Sequence, residues 1–559
     1  MIGADRHADL LLHSGMVYTV DAARSRAQAV AVRKGEIVRV GTDAEVAELA
    51  GPRTQRIALQ GRMLLPGFQD AHIHASAGGL ERLRCDLSGV HSLEAYLDLV
   101  GRYAEQRPNE PWILGGGWAI DVFPGGVPTR AMLDAVVADR PVFLSNRDHH
   151  AAWVNSKALE LAGVTAWTPD PADGRIERAE HGSPMGTLQE GAVNLVGKMV
   201  PRPTLDEQRR GILEAERYLF SLGITAWQEA IVGDYVVIPD SYDGFVSLSE
   251  AGELTARVVG ALWFERGRGE EQIDGLLARR ERASAGRFRA TTVKIMQDGI
   301  AENFTAAMLV PYLDGNGRAT ENTGLSYFPP EVLNRPVTHL DAEGFQVHFH
   351  AIGDRAVREA LDAIESARMA NGTSDNRHHI SHVQIVHPDD LARFKALDVV
   401  ANAQPLWACN DPQMLELTVP FLEPERLRWM YPFGSLVRSG AKLAFGSDWP
   451  VSSADALAEV HVAVNRKMPP GYLYGEPDKN EKPLLPEERI DLSTAIASFT
   501  IGSAHVNHLD NITGSIEVGK RADLVVLSED PFARPVEEIG ETRVDLTLVD
   551  GSVVYERPP

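Results

Sequence analysis

The chain has 559 residues, of which 44% are hydrophobic, and a formal net charge of −23. This length is too great for one simple domain, and the apolar fraction is typical of a packed globular interior. The acidic balance disfavours nucleic acid and anionic membrane surfaces as partners, because both repel negative charge, and leaves a small molecule as the expected partner.

The sequence gives no sign of export or of a membrane anchor. Its two cysteines, Cys85 and Cys409, lie far apart, which provides no disulfide framework and fits a reducing compartment. The first residues lack a basic segment followed by a continuous apolar stretch and a cleavage site, and no apolar run reaches the roughly 18 residues of a membrane span. We therefore expect a soluble cytoplasmic protein.

Both ends of the chain predict short β-strands. Near the start, DLLLHSGMVYTV and AQAVAVRKGEIVRVG are rich in Val, Ile and Leu and are interrupted by Gly and Asp turns. Near the end, GSIEVGKRADLVVLSEDP and VDLTLVDGSVVYE alternate apolar and polar residues around similar turns. We predict that residues 1–65 and 506–559 together build one small β-sandwich domain.

The middle of the chain, residues 66–505, predicts an α/β architecture. Apolar strands such as TTVKIMQDG and GFQVHFHAIGD alternate with amphipathic helices such as DRAVREALDAIESARM, which indicates βα units around a parallel sheet. An open doubly wound sheet and a closed (β/α)8 barrel both fit this alternation. Polar residues concentrate at the strand ends, where barrel enzymes carry their catalytic groups, so the (β/α)8 TIM-like barrel is favoured. A segment at about 75–190, rich in Trp, Gly and Pro, is predicted to be an insertion over the barrel mouth.

A series of polar residues at predicted strand ends indicates a metal site. LLPGFQDAHIH places His72 and His74 two residues apart in a strand, so both imidazoles face the same side. Four further residues end separate apolar strands: Lys294 in TVKIMQDG, His350 in VHFHAIGD, His382 in HISHVQ and Asp448 in AFGSDWP. Imidazole nitrogen and carboxylate oxygen are favoured ligands of a divalent metal such as zinc. Each residue alone has an ordinary structural explanation, but their joint order predicts a metal site.

This order of residues, with β-rich ends around a barrel, resembles the metal-dependent amidohydrolase superfamily. HAIGDRAV, GSDWPV and the long insertion resemble its branch of long chains related to N-substituted formamide deformylase, amidohydrolase family 3. The resemblance implies one metal on His72, His74 and Asp448, and a second on His350 and His382. It also implies that Lys294, carboxylated by carbon dioxide, bridges the two.

The number of metals is left open by the sequence. A neutral Lys294 amine beside a single metal is the alternative to a carboxylated bridge, because burial and a nearby cation both lower a lysine pKa. Zinc is the expected metal, with manganese and iron as alternatives, at one or two ions per chain.

Further residues are expected near the substrate. SNRDHHAAWVNSKAL resembles a segment of the branch that lends a histidine to the pocket, and His150 holds the matching position, with His149 beside it as the alternative. Glu190 and Gln404 match positions that the branch places near the site, although a helix-surface or strand-end hydrogen bond is an equal explanation. His348 shares a face with His350, but the following AIGD favours His350 as the ligand.

Three tryptophans lie in segments predicted to approach the mouth, where they would line an apolar or aromatic pocket. They are Trp118, Trp153 and Trp407. Ordinary packing is the alternative for each of them.

The resemblance implies a hydrolase of a non-peptide carbon–nitrogen bond, and a linear N-formyl or N-acyl amine with an apolar or aromatic part is the expected substrate. Metal-activated water would attack the carbonyl, and Asp448 would take the proton of that water and hand it to the leaving nitrogen. Lys294 and His150 are the other expected catalytic residues. Hydrolysis of a cyclic amide, imide or ureide, or a deamination, is the enzymatic alternative; a non-catalytic metal-binding assembly protein is the alternative from another class. The resemblance also suggests a homodimer.

Overall fold

A computed structural model describes residues 7–235, 238–472 and 482–558. The first six residues and Pro559 of the predicted β-sandwich domain lie outside this range. The described residues form 24 β-strands, numbered in chain order: β1 (Leu10–His13), β2 (Met16–Tyr18), β3 (Arg26–Ala27), β4 (Ala29–Arg33), β5 (Glu36–Gly41), β6 (Gln55–Ala58), β7 (Met63–Pro66), β8 (Phe68–Ile73), β9 (Cys85–Asp86), β10 (Ile113–Trp118), β11 (Val142–Asn146), β12 (Ala151–Val154), β13 (Gly174–Arg178), β14 (Pro184–Glu190), β15 (Ile224–Val232), β16 (Arg257–Trp263), β17 (Phe288–Met296), β18 (Gln346–Ala351), β19 (His379–His382), β20 (Val400–Ala403), β21 (Lys442–Phe445), β22 (Leu524–Leu527), β23 (Val544–Val549) and β24 (Ser552–Glu556).

The same residues form 17 α-helices, some of them joined by short 3₁₀ or π-helical turns. They are α1 (Asp43–Ala47), α2 (Ala75–Arg82), α3 (Leu93–Gln106), α4 (Arg130–Asp134), α5 (Ser156–Ala162), α6 (Asn194–Gly197), α7 (Leu205–Ser221), α8 (Tyr242–Ala251), α9 (Ile273–Arg282), α10 (Pro330–Ala342), α11 (Asp354–Asn371), α12 (Pro388–Ala396), α13 (Pro424–Leu427), α14 (Phe433–Ser439), α15 (Ala456–Asn465), α16 (Leu492–Ala497) and α17 (Ser503–Val506). Within the described ranges, no helix is both long and apolar enough to cross a membrane.

Eight parallel strands form the central sheet, in the order β8, β15, β16, β17, β18, β19, β20, β21. The seam between β21 and β8 is joined by the segment that follows β21. There the Asp448 N–H donates to the His72 carbonyl over 2.7 Å, and the Ser447 N–H donates to the Asp70 carboxylate over 3.0 Å. Nearly every residue of these strands is buried, because helices cover one face and side chains fill the other. The predicted (β/α)8 barrel is therefore confirmed, with its sheet nearly closed.

The strands at the two ends of the chain form two further sheets. One has the order β24, β23, β22, β7, β2, β3 and so combines both ends, while the other has the order β5, β4, β1, β6. Apolar residues of both sheets share one core, which includes Leu12, Val30, Leu64, Val526 and Leu548. Two sheets around one core form a β-sandwich, and this sandwich lies against the barrel at β7, which runs directly into β8.

The segment between β8 and β15 contributes a sheet of its own, in the order β13, β14, β12, β11, β10, β9. The strands of this sheet begin at Cys85, and helix α2, which precedes them, packs on the barrel helix α7. The two helices approach so closely that a Cβ atom on Gly79 would lie 1.9 Å from the carbonyl oxygen of Gly211.

Trp118 and Trp153 lie inside this inserted sheet. Both are fully buried in its core, where their Nε1–H groups donate to the carbonyls of Leu144 and Thr129, each over 2.9 Å. The structure thus corrects the expectation that these two tryptophans line the substrate pocket. Within the insertion, each indole ring lies in an apolar environment and its N–H group has a hydrogen-bond acceptor.

Candidate metal centre

Two histidines from the first barrel strand face a carboxylate from the end of the last one. His72 lies in β8 and His74 just after it, at the spacing that turns both side chains to one side. Asp448 follows β21 in a left-handed backbone conformation, with φ of 57°. Its Oδ1 atom lies 3.1 Å from the Nε2 atoms of both His72 and His74. These three side chains, distant in sequence, form one buried cluster.

Two histidines from the adjacent strands β18 and β19 adjoin this cluster. His350 in β18 and His382 at the end of β19 have ring centroids 4.5 Å apart, and the His382 ring lies 4.8 Å from that of His72. His72, His382 and Asp448 each offer a ligand atom, and these atoms all lie within 4.8 Å of one another. The two predicted ligand sets therefore form one continuous group.

Lys294 completes the group from β17, between the two sets of histidines in strand order. Its side chain is buried, and its Nζ atom lies 3.4 Å from Nε2 of His348. Burial lowers the pKa of Lys294 to about 7, so its neutral amine form is accessible near neutral pH.

The donor set fits a divalent metal. Nδ1 of His74 and Nδ1 of His382 are buried and have no hydrogen-bond partner within the described residues, and Oδ1 of Asp448 faces the Nε2 atoms of His72 and His74. Buried polar atoms without partners are costly, and a bound cation would satisfy such atoms. Burial, together with the charge of Lys294, also holds the pKa of His72 well below its ordinary value, which favours the neutral imidazole that coordinates metals.

A second layer of polar residues fixes the histidines in place. Nδ1 of His72 lies 2.8 Å from Nε2 of His348 and 2.7 Å from Oγ of Ser381. Nδ1 of His350 lies 3.1 Å from Oδ1 of Asp298, and the same carboxylate accepts hydrogen bonds from the backbone N–H groups of residues 352 and 353. Such outer partners orient metal ligands and set their tautomers.

The sequence pattern favours His350 over His348 as the ligand and does not single out Ser381 or Asp298. His348 does point to the same side as His350, one layer deeper in the barrel. The available signals are the alternation in HFH and the Asp that lies two residues after strand β17 in IMQDG.

Two adjacent histidines from the insertion face the metal ligands, each beside a carboxylate. Nδ1 of His150 lies 2.9 Å from Oε1 of Glu190, and Nε2 of His149 lies 2.9 Å from Oε1 of Glu81. Burial alone would lower the pKa of His150, but the charge of Glu190 raises it to about 9. Both histidines line the same pocket. The structure therefore places both His149 and His150 at the site, where the sequence left open which of the two faces the substrate. Glu190 lies behind His150 and also accepts a hydrogen bond from Asn303 over 2.9 Å.

Gln404 and Trp407 both contact His382. The side-chain oxygen of Gln404 accepts a hydrogen bond from the His382 backbone N–H over 2.9 Å, and Gln404 is fully buried. The Trp407 ring stacks on the His382 imidazole, with centroids 5.2 Å apart and ring planes 4° apart. Gln404 thus holds the backbone of a metal ligand, while Trp407 forms part of the pocket wall.

These groups enclose a cavity of about 50 Å³, which we call the metal pocket. Its polar floor carries Lys294, the histidines and Asp448, and its walls include the apolar side chains of Ile231, Met296, Ile300 and Val451. A site at the carboxyl ends of barrel strands is where barrel enzymes carry out their chemistry.

The fold and the site are those of a metal-dependent barrel hydrolase. Residues 55–555 match the model of the Amidohydrolase family, and the chain belongs to this family. Membership confirms the predicted enzyme class, a hydrolase acting on carbon–nitrogen bonds.

Three similar proteins span almost the whole chain. Protein LONG AFTER FAR-RED 3 of Arabidopsis thaliana is 32% identical over 98% of this chain and 92% of its own length. N-substituted formamide deformylase of Arthrobacter pascens is 27% identical over 98% of each chain. The crystal structure of an uncharacterized metal-dependent hydrolase from Pyrococcus furiosus is 28% identical, with a TM-score of 0.70, over 93% of this chain and 99% of that one. The predicted resemblance to the formamide deformylase branch is thereby confirmed.

Proposed function

We propose that the protein hydrolyses linear N-formyl or N-acyl amines that carry an apolar or aromatic part. The observation that carries this proposal is the position of the Asp448 carboxylate, 3.1 Å from Nε2 of both His72 and His74 at the floor of a pocket with apolar walls. A pocket of this kind combines polar groups that act on an amide with walls that accept a hydrocarbon substituent. The similarity to an N-substituted formamide deformylase supports the same substrate class.

The proposed metal ligands are His72, His74, His350, His382 and Asp448, with Lys294 between the two sets. Zinc is the proposed metal, at one or two ions per chain, and a carboxylated Lys294 is the proposed bridge in the two-metal form. Bound metal would supply a nucleophilic water at neutral pH and polarise the substrate carbonyl.

Residues of the chain itself would accept and donate the protons. Asp448 is proposed to accept the proton of the attacking water and to donate it to the leaving nitrogen, which are successive general-base and general-acid steps. His150, held protonated by Glu190, is proposed to donate a hydrogen bond to the substrate oxygen, where negative charge develops. The buried position of these groups strengthens both interactions, because little water competes with them.

The test is release of amine and acid from a panel of N-formyl, N-acetyl and longer N-acyl derivatives of aliphatic and aromatic amines. The enzyme is first loaded with zinc or manganese in the presence of bicarbonate, and its metal content is measured. Release of amine from linear amides is expected. Hydrolysis of cyclic amides, imides or ureides alone, or release of ammonia alone, would overturn the proposal. Failure to hold close to one metal per chain would favour the non-catalytic assembly protein.

A further inference from the structure

A cavity much larger than the metal pocket lies beside it, and the proposed chemistry does not use it. We call it the side cavity; its volume is about 490 Å³. Its apolar lining includes Phe143, Val200 and Trp263. Tyr235 and Ile238 line both the side cavity and the metal pocket, so the two spaces meet at these residues. A substrate whose scissile amide lies over the metal ligands therefore has room for a bulky apolar group in the side cavity.

One arginine lies where the two spaces meet. Arg266 follows strand β16 by three residues, on the edge of the barrel that carries the metal ligands, and it lines the side cavity. Its Nη2 atom lies 3.0 Å from Sδ of Met296 and 3.5 Å from the hydroxyl oxygen of Tyr235, and both of these residues line the metal pocket. Its guanidinium carbon lies 3.4 Å from the centre of the Tyr327 ring. Sulfur and aromatic contacts thus hold the guanidinium at the edge of the metal pocket.

The hydrogen-bond donors of Arg266 are poorly matched by the protein itself. Its Nε atom is buried and has no hydrogen-bond partner within the described residues. Nη1 pairs with Oδ2 of Asp173 at a distance of 3.8 Å, and the Asp173 side chain is 48% exposed, so this pair is weak. Glu190, the other carboxylate whose charge reaches Arg266, is bonded to His150 over 2.9 Å. A buried donor without an acceptor is costly, and a ligand with acceptor oxygens would satisfy it.

The rest of the lining leaves no carboxylate free to fill this role among the described residues. The two other carboxylates that line the side cavity are each paired with an arginine, Asp234 with Arg202 over 2.8 Å and Glu265 with Arg268 over 3.3 Å. The remaining charged residues of the lining, Arg84 and Lys198, are cations. The missing partner of Arg266 is therefore expected to come from a ligand, and an anion suits the charges around it.

We propose that the side cavity binds the amine part of an N-acyl amino acid, with the substrate carboxylate on Arg266 and an apolar side chain against Trp263 and Phe143. This inference rests on the proposed function, because the carboxylate belongs to the amine part of an amide substrate. A guanidinium binds a carboxylate through two parallel hydrogen bonds, for which Nε and a neighbouring Nη are suitable donors. In such a substrate the carboxylate and the side chain both branch from the carbon next to the amide nitrogen. This branching matches a cation and an apolar wall at the edge of the metal pocket.

Other amine parts fit the side cavity less well. A protonated amine would meet the positive charges of Arg266, Arg84 and Lys198, and like charges in a partly buried site repel. A neutral apolar amine would fill the space but leave Nε of Arg266 without an acceptor. The substrate class is therefore an N-acyl amino acid rather than an N-acyl derivative of a simple amine or a diamine.

The test compares three formamides on the metal-loaded enzyme, with formate release as the common measurement. They are N-formylphenylalanine, its primary amide and N-formyl-2-phenylethylamine, which carry a carboxylate, a neutral group of nearly the same shape, and neither group. The first two are tested as both enantiomers. A hydrogen-bonded charge pair corresponds to a preference of roughly 10- to 100-fold, and we expect kcat/KM for the preferred enantiomer of the anion to exceed that for each neutral compound by such a factor, mainly through KM. Equal values, or slower hydrolysis of the anion, would overturn the inference while leaving the proposed function intact.

A fourth compound tests the apolar wall. N-formylglycine keeps the carboxylate and lacks the side chain, so it loses the burial of an aromatic ring in the side cavity. Its kcat/KM is expected to be at least about 10-fold lower than that of N-formylphenylalanine. Equal values would overturn the placement of the substrate side chain against Trp263 and Phe143.

Variants of Arg266 identify the source of the charge preference. Arg266→Met keeps an unbranched side chain and removes the charge, and Arg266→Gln removes the charge but keeps a donor. Each is expected to lower the ratio of kcat/KM for N-formylphenylalanine to that for its amide by about 10-fold or more. Arg268→Met is the matched control, because this half-exposed arginine of the same segment pairs with Glu265 and lies outside the lining of the side cavity. An unchanged ratio in the Arg266 variants, including an equal loss of activity on both compounds, would overturn the inference.

Binding keeps the two proposals apart. If none of the formamides is hydrolysed, the proposed function fails, and calorimetry of the metal-loaded protein with the same compounds tests the inference alone. A metal ion can itself bind a carboxylate, so the comparison of the wild type with Arg266→Met is decisive. Tighter binding of N-formylphenylalanine than of its amide, lost in Arg266→Met, would support the inference. Binding that is independent of charge, or a preference that the variant retains, would overturn it.

Discussion

The Oδ1 atom of Asp448 lies 3.1 Å from the Nε2 atom of His72, although the two residues come from opposite ends of the barrel's strand order. The contact exists because the sheet nearly closes and the Asp448 N–H donates to the His72 carbonyl across the seam. The side chains of the first and last strands therefore meet only in the folded barrel. The site is therefore assembled only when the sheet closes.

Replacing Asp448 by Asn should remove most turnover while leaving the fold intact. Asparagine keeps the shape and tolerates the left-handed backbone at this position, but it cannot accept a proton at neutral pH. General acid–base catalysis contributes roughly 10²- to 10⁴-fold, and we expect kcat to fall by at least about 100-fold. Amine release and circular dichroism measure the two effects. The control is Asp389→Asn, at an exposed carboxylate of α12; retained turnover in Asp448→Asn would remove the proton-transfer role.

Replacing His348 by Ala should weaken metal binding without removing a proposed ligand. His348 lies 2.8 Å from Nδ1 of His72 and so fixes the orientation of that imidazole. Loss of an outer partner typically costs about 10- to 100-fold in metal affinity. Competition with a chromophoric chelator measures the affinity, and His339→Ala on the exposed side of α10 is the control. Equal affinities in the two variants would assign His348 a role in packing alone.

The sequence was sufficient for the barrel and for the residues at its strand ends, because both follow from local periodicity. Strands β17, β18 and β19 could be recognised from short apolar runs, and their polar ends from the next one or two residues. The side chains of the insertion could not be placed in this way. Trp118 and Trp153 pack inside a sheet whose order, β13, β14, β12, β11, β10, β9, is not sequential, and no local pattern reveals which face of such a sheet is covered. The role of His348 could not be predicted for a similar reason: the alternation in HFH shows that His348 and His350 share a face, but not which of them lies deeper in the barrel.

Activity should depend on carbon dioxide if Lys294 bridges two metals as a carbamate. The buried amine has a pKa near 7, so its neutral form is available to attack carbon dioxide, forming the N–C bond of the carbamate and releasing one proton. Metal-free protein reconstituted in degassed buffer should then recover little activity until bicarbonate is added. Lys294→Met should bind fewer metal ions per chain and not respond to bicarbonate. Full activity without bicarbonate would support a neutral Lys294 beside a single metal.

Replacing Gly79 by alanine should disturb the packing of α2 on α7, next to the metal pocket. A Cβ atom there would lie 1.9 Å from the Gly211 carbonyl oxygen, so α2 and α7 would have to separate. Because α2 begins directly after His74, Gly79→Ala should lower both the thermal midpoint and the metal content. Overpacking typically costs about 1–3 kcal/mol.

Gly275→Ala is the matched control for this prediction. Gly275 lies within α9, and a Cβ atom there would meet nothing within 4 Å. Alanine in a helix interior stabilises by roughly 0.5–1 kcal/mol relative to glycine. The two substitutions add the same atoms, so opposite shifts of the thermal midpoint would attribute the effect to the helix contact. Shifts of the same sign would contradict it.

Asp550 should make the stability of the protein depend on pH. It lies in the turn between β23 and β24, where its carboxylate pairs with Arg257 and Arg287 of the barrel and with Arg521 of the sandwich. Burial alone would raise the pKa of Asp550, but these guanidinium groups lower it to about 2. A carboxylate whose folded-state pKa lies below its unfolded value of about 4 stabilises the folded state above that value. This stabilisation is lost as the pH falls from about 4 towards 2.

Asp550→Asn should therefore lower the free energy of unfolding at pH 7 by about 2–3 kcal/mol, since the pKa shift is about two units and each unit is worth roughly 1.4 kcal/mol. The difference from the wild type should shrink as the pH falls below about 4, because the wild-type carboxylate then becomes protonated. Urea unfolding at pH 7, 5, 4 and 3 measures this difference, and asparagine tolerates the positive φ of the turn. The exposed Asp139→Asn variant should follow the wild type at every pH. A difference that does not change with pH would mean that Asp550 stabilises the junction through its shape and hydrogen bonds rather than through its charge.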